Sequence, residues 1–425
     1  MENLGRQRLR RAQIGMLVTF AFIGHMALAS VAWVPEFIDR LDVSFAQWGT
    51  IIGFGVVGSI APLFFVSRLI MRFGPRTIIR FGHYFAALFL ISLGLTSSAP
   101  IWFVLNIGFN FFMSLTGVAV NSHAVMLQKK ISKNVMGRFH AGWSIGAVGA
   151  AITGGLSTVF MQLEHFLIVV AIVNLLVYEF SLRWLLSAKE DGHLEEKAQQ
   201  VKRKFFEVPA QLVLLTLGSF GAVYPEVAVI DWAAVFARDI LNVDLALRSL
   251  PFAAFMSGMI IGRLSLSKLT EKHHPHHIAS RGALFAAGAM AIAAFLAPVL
   301  SGMDKTIGLL VVMLLWLIAG LGLASGSPTF TAAAGHIPGV STAWAVSRLS
   351  LMSSLLSIMA KTMMGALVEG VGVSYALFFP ISLAIMSAFI AAGFAQRAKR
   401  AEIDSMAPVT APMPIIVLEE DEDRK

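Results

Sequence analysis

The chain is a succession of apolar runs, each about 20 residues long, separated by short polar breaks. That one feature excludes most folds. A run of this length crosses the hydrocarbon of a bilayer as a helix, and in lipid only helices and closed barrels satisfy their own backbone. Composition agrees: 57% of the 425 residues are hydrophobic and 14% are charged, whereas a soluble domain carries about a quarter charged residues. With no cysteine in the chain, disulfides, iron–sulfur clusters and thiolate metal sites are excluded.

The expected spans lie near 14–34, 47–67, 79–97, 101–127, 141–162, 164–186, 209–237, 247–270, 281–300, 306–328, 341–367 and 373–395. With the N-terminus inside, the outer loops hold only Arg40, Arg238, Arg248 and Lys305, and the eleventh span holds Arg348 and Lys361. The other Lys and Arg are at the inner ends and loops. This bias places both termini in the cytoplasm. The net charge of +8 is thus a topology signal, and no nucleic-acid partner is expected. "ALAS" at 27–30 resembles a signal cleavage site, but the long run around it and the eleven that follow favour an uncleaved first helix.

The longest polar segment inside the chain begins at Ser187 and divides the spans six and six. The expected organisation is a cytoplasmic N-terminus (1–13), a six-helix half (14–186), a linker (187–208), a second half (209–395) and a disordered tail (396–425) ending in "LEEDEDRK". The turn after the second span, "SRLIMRFGPR" (67–76), has a weaker copy after the eighth, "GRLSLSKLTEK" (262–272). Internal repeats of this kind build many transporters, with the substrate site between the halves.

Twelve spans as six plus six, with a basic R-F-G-x-R turn after the second, resemble the major facilitator superfamily over roughly residues 1–400. Three stretches further resemble its fucose-permease-like branch and related inner-membrane proteins: "GVAVNSHAV" (117–125), "GRFHAGWSIGAVGA" (137–150) and "EVAVIDWAAVFARD" (226–239). The resemblance implies an all-α, twelve-helix membrane fold in a bacterial cytoplasmic membrane, and two halves rocking about a site lined by helices 1, 4, 7 and 10. It also implies an inner gate at Arg68, Arg72, Gly74 and Arg76. His140, at the start of the fifth span, is assigned to the same gate. Two positions depart from the family pattern: Met71 stands where the inner turn carries an acid, and Gly117 where the sugar-permease branch carries a carboxylate.

Helix 4 carries a polar stripe. Asn106, Asn110, Ser114, Gly117, Asn121 and Gln128 share an arc of roughly 80° at 100° per residue. A polar stripe turns away from lipid, either onto another helix or into a wet cavity. Amides suit hydroxyl-rich ligands, so Asn110, Ser114, Asn121 and Gln128 are candidate substrate contacts. Helix 11 has a second stripe, Ser347, Ser350, Ser354, Ser357 and Lys361.

Two carboxylates stand within the apolar stretch "AVYPEVAVIDWAAVF" (222–236). Pro225 removes a backbone hydrogen bond, so the helix is expected to kink or loosen there. Glu226 and Asp231 are about 140° apart on a regular helix and serve different surroundings. A charge within a span costs at least about 2.5–3.5 kcal/mol unless it is paired or wet. Asp231 and Lys361 each lie six residues from the outer end of their spans, and the resemblance implies that those two helices are neighbours, so a pair between them is expected. The alternative is a hydrated Asp231 near Arg238. Glu226 is then the leading titrating or ligand-binding carboxylate, against a structural reading as a protonated carboxyl bonded to backbone. Trp232 is a candidate stacking partner for a sugar ring, and His25 and Asp231 are further candidate proton-coupling residues.

Other signals read as structural. Glu179 and Arg183 have the i, i+4 spacing of an ion pair. "KHHPHH" (272–277) reads as a solvated loop rather than a metal site, and no cofactor or metal is expected. The glycines of helix 5 suit a close, sliding helix contact. The reading that results is a proton-coupled transporter of a small polar solute such as a sugar, working as a monomer in the bilayer. Drug or metabolite efflux by proton antiport and a non-transporting receptor or scaffold are the alternatives. No phosphate loop, metal cluster or nucleophile constellation points to an enzyme.

Overall fold

The computed structural model describes residues 5–131, 135–187, 190–191, 208–337 and 342–406. Most of the expected linker and the end of the tail, including the acidic cluster at 418–425, lie outside the described residues. The described chain is built from helices and connecting turns. The first half comprises α1 (Arg6–Leu28), α2 (Phe45–Ile60), α3 (Pro75–Leu95), α4 (Ala99–Ile131), α5 (Met136–Ser157) and α6 (Leu163–Trp184). The second comprises α7 (Ala210–Asp239), α8 (Leu250–Thr270), α9 (Pro275–Met303), α10 (Lys305–Leu323), α11 (Thr342–Val371) and α12 (Phe378–Met406).

Among the described residues, eleven helical segments are long and apolar enough to cross a membrane. The twelfth helix is α5, whose glycines, Arg138 and His140 lower its hydropathy. It is nonetheless packed along α1 and α8 like its neighbours. The protein is therefore a multi-pass integral membrane protein. We call the side where α1 begins the N-terminal face and the opposite side the distal face.

Local chemistry sets the helix ends. Ser44 and Gln47 form a reciprocal capping box at α2. Asp304 caps α10 by accepting from the backbone N–H groups of Thr306 and Ile307 at 2.7 and 3.1 Å. Gly74, at φ 77, turns the chain into α3 just before Pro75, a conformation that costs a glycine little. Three boundaries differ from the sequence reading. The first span continues past α1 through a short helix to Leu41. The second breaks at a 3₁₀ turn (Ala61–Phe64) containing Pro62, so the R-F-G turn is carried by a separate helix, Val66–Phe73. α12 runs on to Met406, past the expected start of the disordered tail at 396, whereas α7 keeps Pro225 within one helix, as its single expected span requires.

Glycine brings backbones together within and between the halves. A side chain at Gly146 would run into the Ala21 carbonyl, which explains how closely α5 lies on α1. Between the halves, α2 packs on α11 and α5 on α8. Near the distal face Gly49 lies directly on Gly365, and a side chain at Gly155 would meet Ala246 and Ser249. That end of the seam is also tied by polar contacts. Arg248 bridges Glu36 at 2.8 Å, Arg238 bridges Asp39 at 3.1 Å, and the Phe45 N–H donates to Glu369 at 2.8 Å.

Candidate substrate site

α7 carries its two carboxylates into different surroundings, as their angular separation requires. Asp231 meets Lys361 of α11 at 2.7 Å, with the side chains only 10% and 14% exposed. Both residues line a cavity of about 230 Å³ near the distal face, between the halves. The remaining wall comes mostly from the first half, with Asn106, Asn110 and Trp102 of α4 and Trp48 of α2. Trp48 and Trp102 have ring centroids 5.0 Å apart, and Phe37 stands edge-on to Trp102 at 5.4 Å. Neither indole N–H has a hydrogen-bond partner among the described residues. Asn110 donates to the backbone and side-chain oxygens of Asn106 at 2.8 and 3.0 Å, which leaves its own carbonyl oxygen free to accept. The cavity thus offers a buried ion pair, amide oxygens and aromatic faces, the mix that orients a small polar ligand.

Glu226 lies elsewhere. Its carboxylate stands 3.5 Å from Arg263 of α8 and is 13% exposed. The same guanidinium donates to the buried Ser144 hydroxyl of α5 at 2.7 Å. Arg263 therefore holds a carboxylate of its own half and a hydroxyl of the other, closer to the N-terminal face than the Asp231–Lys361 pair. It was missed in the sequence because it sits in the basic "GRLSLSK" repeat, where every cation reads as a topology marker. Trp48 and Trp102 were missed because indoles near span ends read as interface anchors.

The other expected site residues separate into two groups. Asn121 continues the α4 arc toward the N-terminal face, with its amide on the Gly117 carbonyl at 2.8 Å. A side chain at Gly117 would meet nothing within 4 Å, so this stretch of the arc faces open space. Ser114, in contrast, donates to the Ser59 carbonyl at 2.7 Å and joins α4 to α2. Gln128 accepts from the N–H groups of Val135 and Met136 at 2.9 and 3.2 Å, capping α5 rather than contacting a ligand. Trp232 is 1% exposed and edge-on to Phe45 at 6.0 Å, packed at the seam instead of lining the cavity.

His25 is held by Asn174 at 3.2 Å on Nδ1 and by Thr153 at 3.1 Å on Nε2. Asn174 also donates to the Val170 carbonyl, which identifies its nitrogen, so Nδ1 accepts and Nε2 donates. The ring is one neutral tautomer joining α1, α5 and α6, and it contacts neither carboxylate. Of the expected gate, Arg72 stacks on Phe73 at 5.2 Å and His140 lies edge-on to Phe20 at 5.4 Å. Among the described residues, Arg68, Arg72 and Arg76 make no ion pair with the second half. Glu179 pairs with Arg80 of α3 at 2.6 Å in place of Arg183. Arg238 serves Asp39 and Asp239 rather than Asp231. No group of three or more His, Asp or Glu among the described residues could hold a metal ion.

Comparison with known proteins agrees with this architecture. An uncharacterized MFS-type transporter of Yersinia pestis is 24% identical over 329 residues, covering 76% of this chain and 80% of its own. The uncharacterized transporter y4wD of Sinorhizobium fredii is 25% identical over 272 residues, 63% of this chain and 70% of its own. In fold, the chain is similar to a bacterial homologue of the human lysosomal transporter Spinster in an inward-facing, unoccupied conformation. The TM-score is 0.69 at 16% identity, covering 91% of this chain and 97% of that one. It is also similar to a variant of the nucleoside transporter NupG, with TM-score 0.72 at 11% identity, covering 91% and 99%. The sequence profile of the Major Facilitator Superfamily matches residues 126–355, more than half of the chain and across both halves. With two six-helix halves around a shared cavity, the chain belongs to the Major Facilitator Superfamily, a family of membrane transporters.

Proposed function

We propose that this transporter carries a small, hydroxyl-bearing solute such as a sugar, coupled to protons, by alternating access. The observation that carries this reading is the cavity between the halves with its α4 amides, paired indoles and Asp231–Lys361 pair. Amides and a carboxylate recognise hydroxyls, and indole faces cover the apolar face of a sugar ring. The volume of about 230 Å³ falls below the range of roughly 300–1,000 Å³ that takes drug-sized ligands, which favours a small solute over bulky lipophilic drugs.

Glu226 is the coupling carboxylate in this proposal. Its single cation is shared with the other half at Ser144. A proton on Glu226 replaces that cation and loosens the only described link from Glu226 to the first half, so protonation and rocking are coupled. The seam packed at the distal face, with the α4 arc open toward the N-terminal face, corresponds to an inward-facing state if that face is cytoplasmic. The positive charge distribution supports that orientation, and a monomer in the cytoplasmic membrane completes the reading.

Reconstituted protein tests it. Uptake of labelled monosaccharides and polyols into proteoliposomes should quicken with an inward proton gradient, and Asn110→Ala should abolish it. Glu226→Gln should leave solute exchange but remove the gradient effect. Transport indifferent to the gradient, or confined to lipophilic cations, overturns the proposal.

A further inference from the structure

We infer that a second site, a groove between α8, α9 and α10 at the N-terminal face, binds an anionic phospholipid. The groove is about 480 Å³ in volume. It exists because α8 and α9, although consecutive, each pack along α10 rather than along one another. Glycine keeps its floor shallow. Gly282 and Gly322 lie backbone to backbone, and Gly262 rests on Leu321. The walls are apolar, and they face outward: Phe285 is 71% exposed and Leu321 47% exposed. In a bilayer that surface is in contact with acyl chains.

The mouth is basic. Arg281, His273 and His277 line it, and Lys268 in the last turn of α8 and Lys272 on the connecting turn stand against a single acid, Glu271. Among the described residues Arg281 makes no ion pair. Ser325, 4% exposed, also lines the groove, and its hydroxyl has no hydrogen-bond partner among the described residues. The histidine cluster divides accordingly. His274 caps the turn by accepting from the His276 N–H at 3.3 Å, and His276 packs on Phe394 and Phe330. That leaves His273 and His277 at the groove. A soluble anion would meet only the rim, and a neutral lipid only the walls. A diacyl phospholipid with net negative charge uses both, its phosphate on the Arg281 fork and one chain along the α8–α10 cleft.

The inference is independent of the solute carried. Its test is native mass spectrometry of the full chain, released from detergent after equilibration with phosphatidylglycerol or with phosphatidylcholine of the same chains. Phosphatidylglycerol should be retained roughly five-fold or more over phosphatidylcholine, the scale of one basic contact near a membrane surface. Arg281→Glu should bring the two to parity, and Arg281→Lys should keep most of the preference and show that the fold survives. Glycerol phosphate in solution should not displace the lipid. Equal retention of both lipids by the unaltered chain, an unchanged preference in Arg281→Glu, or displacement by glycerol phosphate each overturns the site.

Discussion

Asp231 and Glu226 stand on one helix, five residues apart, and are held in opposite ways. Asp231 has a short contact, 2.7 Å, with a cation of its own half, in the wall of the cavity between the halves. Glu226 has a long one, 3.5 Å, with a cation that donates more closely to the other half. The first arrangement pins α7 to α11 whatever the halves do. The second depends on how the halves meet. A buried ion pair adds little net stability, because desolvation offsets most of its attraction, but removing one partner strands a charge. The pinned carboxylate should therefore show itself in stability, and the shared one in transport.

The largest effect expected is from Lys361→Met, which leaves Asp231 without its cation. A loss of about 3–5 kcal/mol in unfolding free energy is expected. Adding Asp231→Asn should recover part of it, and additive losses in that double-mutant cycle would sink the pair. Arg263→Met should cost less, about 1–3 kcal/mol, because Glu226 can take up a proton in its place. Its main effect should be a transport rate that no longer follows the proton gradient. If the two cation variants cost equally in unfolding experiments, the contrast between the sites fails.

A third carboxylate, outside the spans, calibrates the other two. Glu190 accepts from the Arg8 guanidinium, and this bond, joined by contacts from Ser187, holds its pKa down at about 2 against an ordinary 4.5. The pair's contribution is fully present above pH 4.5 and fades as pH falls toward 2. Arg8→Gln should flatten that acid limb of stability and leave transport near neutral pH unchanged. The smallest effect belongs to Gly117→Ala. With nothing within 4 Å of the added carbon, the change in stability should stay within about ±0.5 kcal/mol. A large loss would mean that the α4 arc is packed rather than open.

Much of the fold was legible because lipid enforces simple rules of length, charge and backbone satisfaction. Asp231 and Lys361 were readable only with help: their equal depth came from the sequence, and the adjacency of their helices from the family resemblance. Ser114, Gln128 and Trp232 were not readable. A stripe on one helix shows which residues avoid lipid, not which of them meet a neighbour. Ser114 and Asn110 share an arc, yet Ser114 donates to a backbone carbonyl of α2 and Asn110 lines the cavity. Glu179 illustrates the same gap, since a partner on α3 displaced the sequence neighbour.

The bond from Gln128 to the start of α5 has a mechanical consequence. It spans from the last turns of α4 to the N–H groups of Val135, which precedes α5, and Met136, its first residue, so force between the helices need not pass through the chain that joins them. Arg263 bonds α5 at Ser144, and the Gln128 amide ties the start of α5 to α4, whose Asn106 and Asn110 line the cavity. A residue with no place in the cavity thereby lies on the bonded path between Glu226 and the α4 amides.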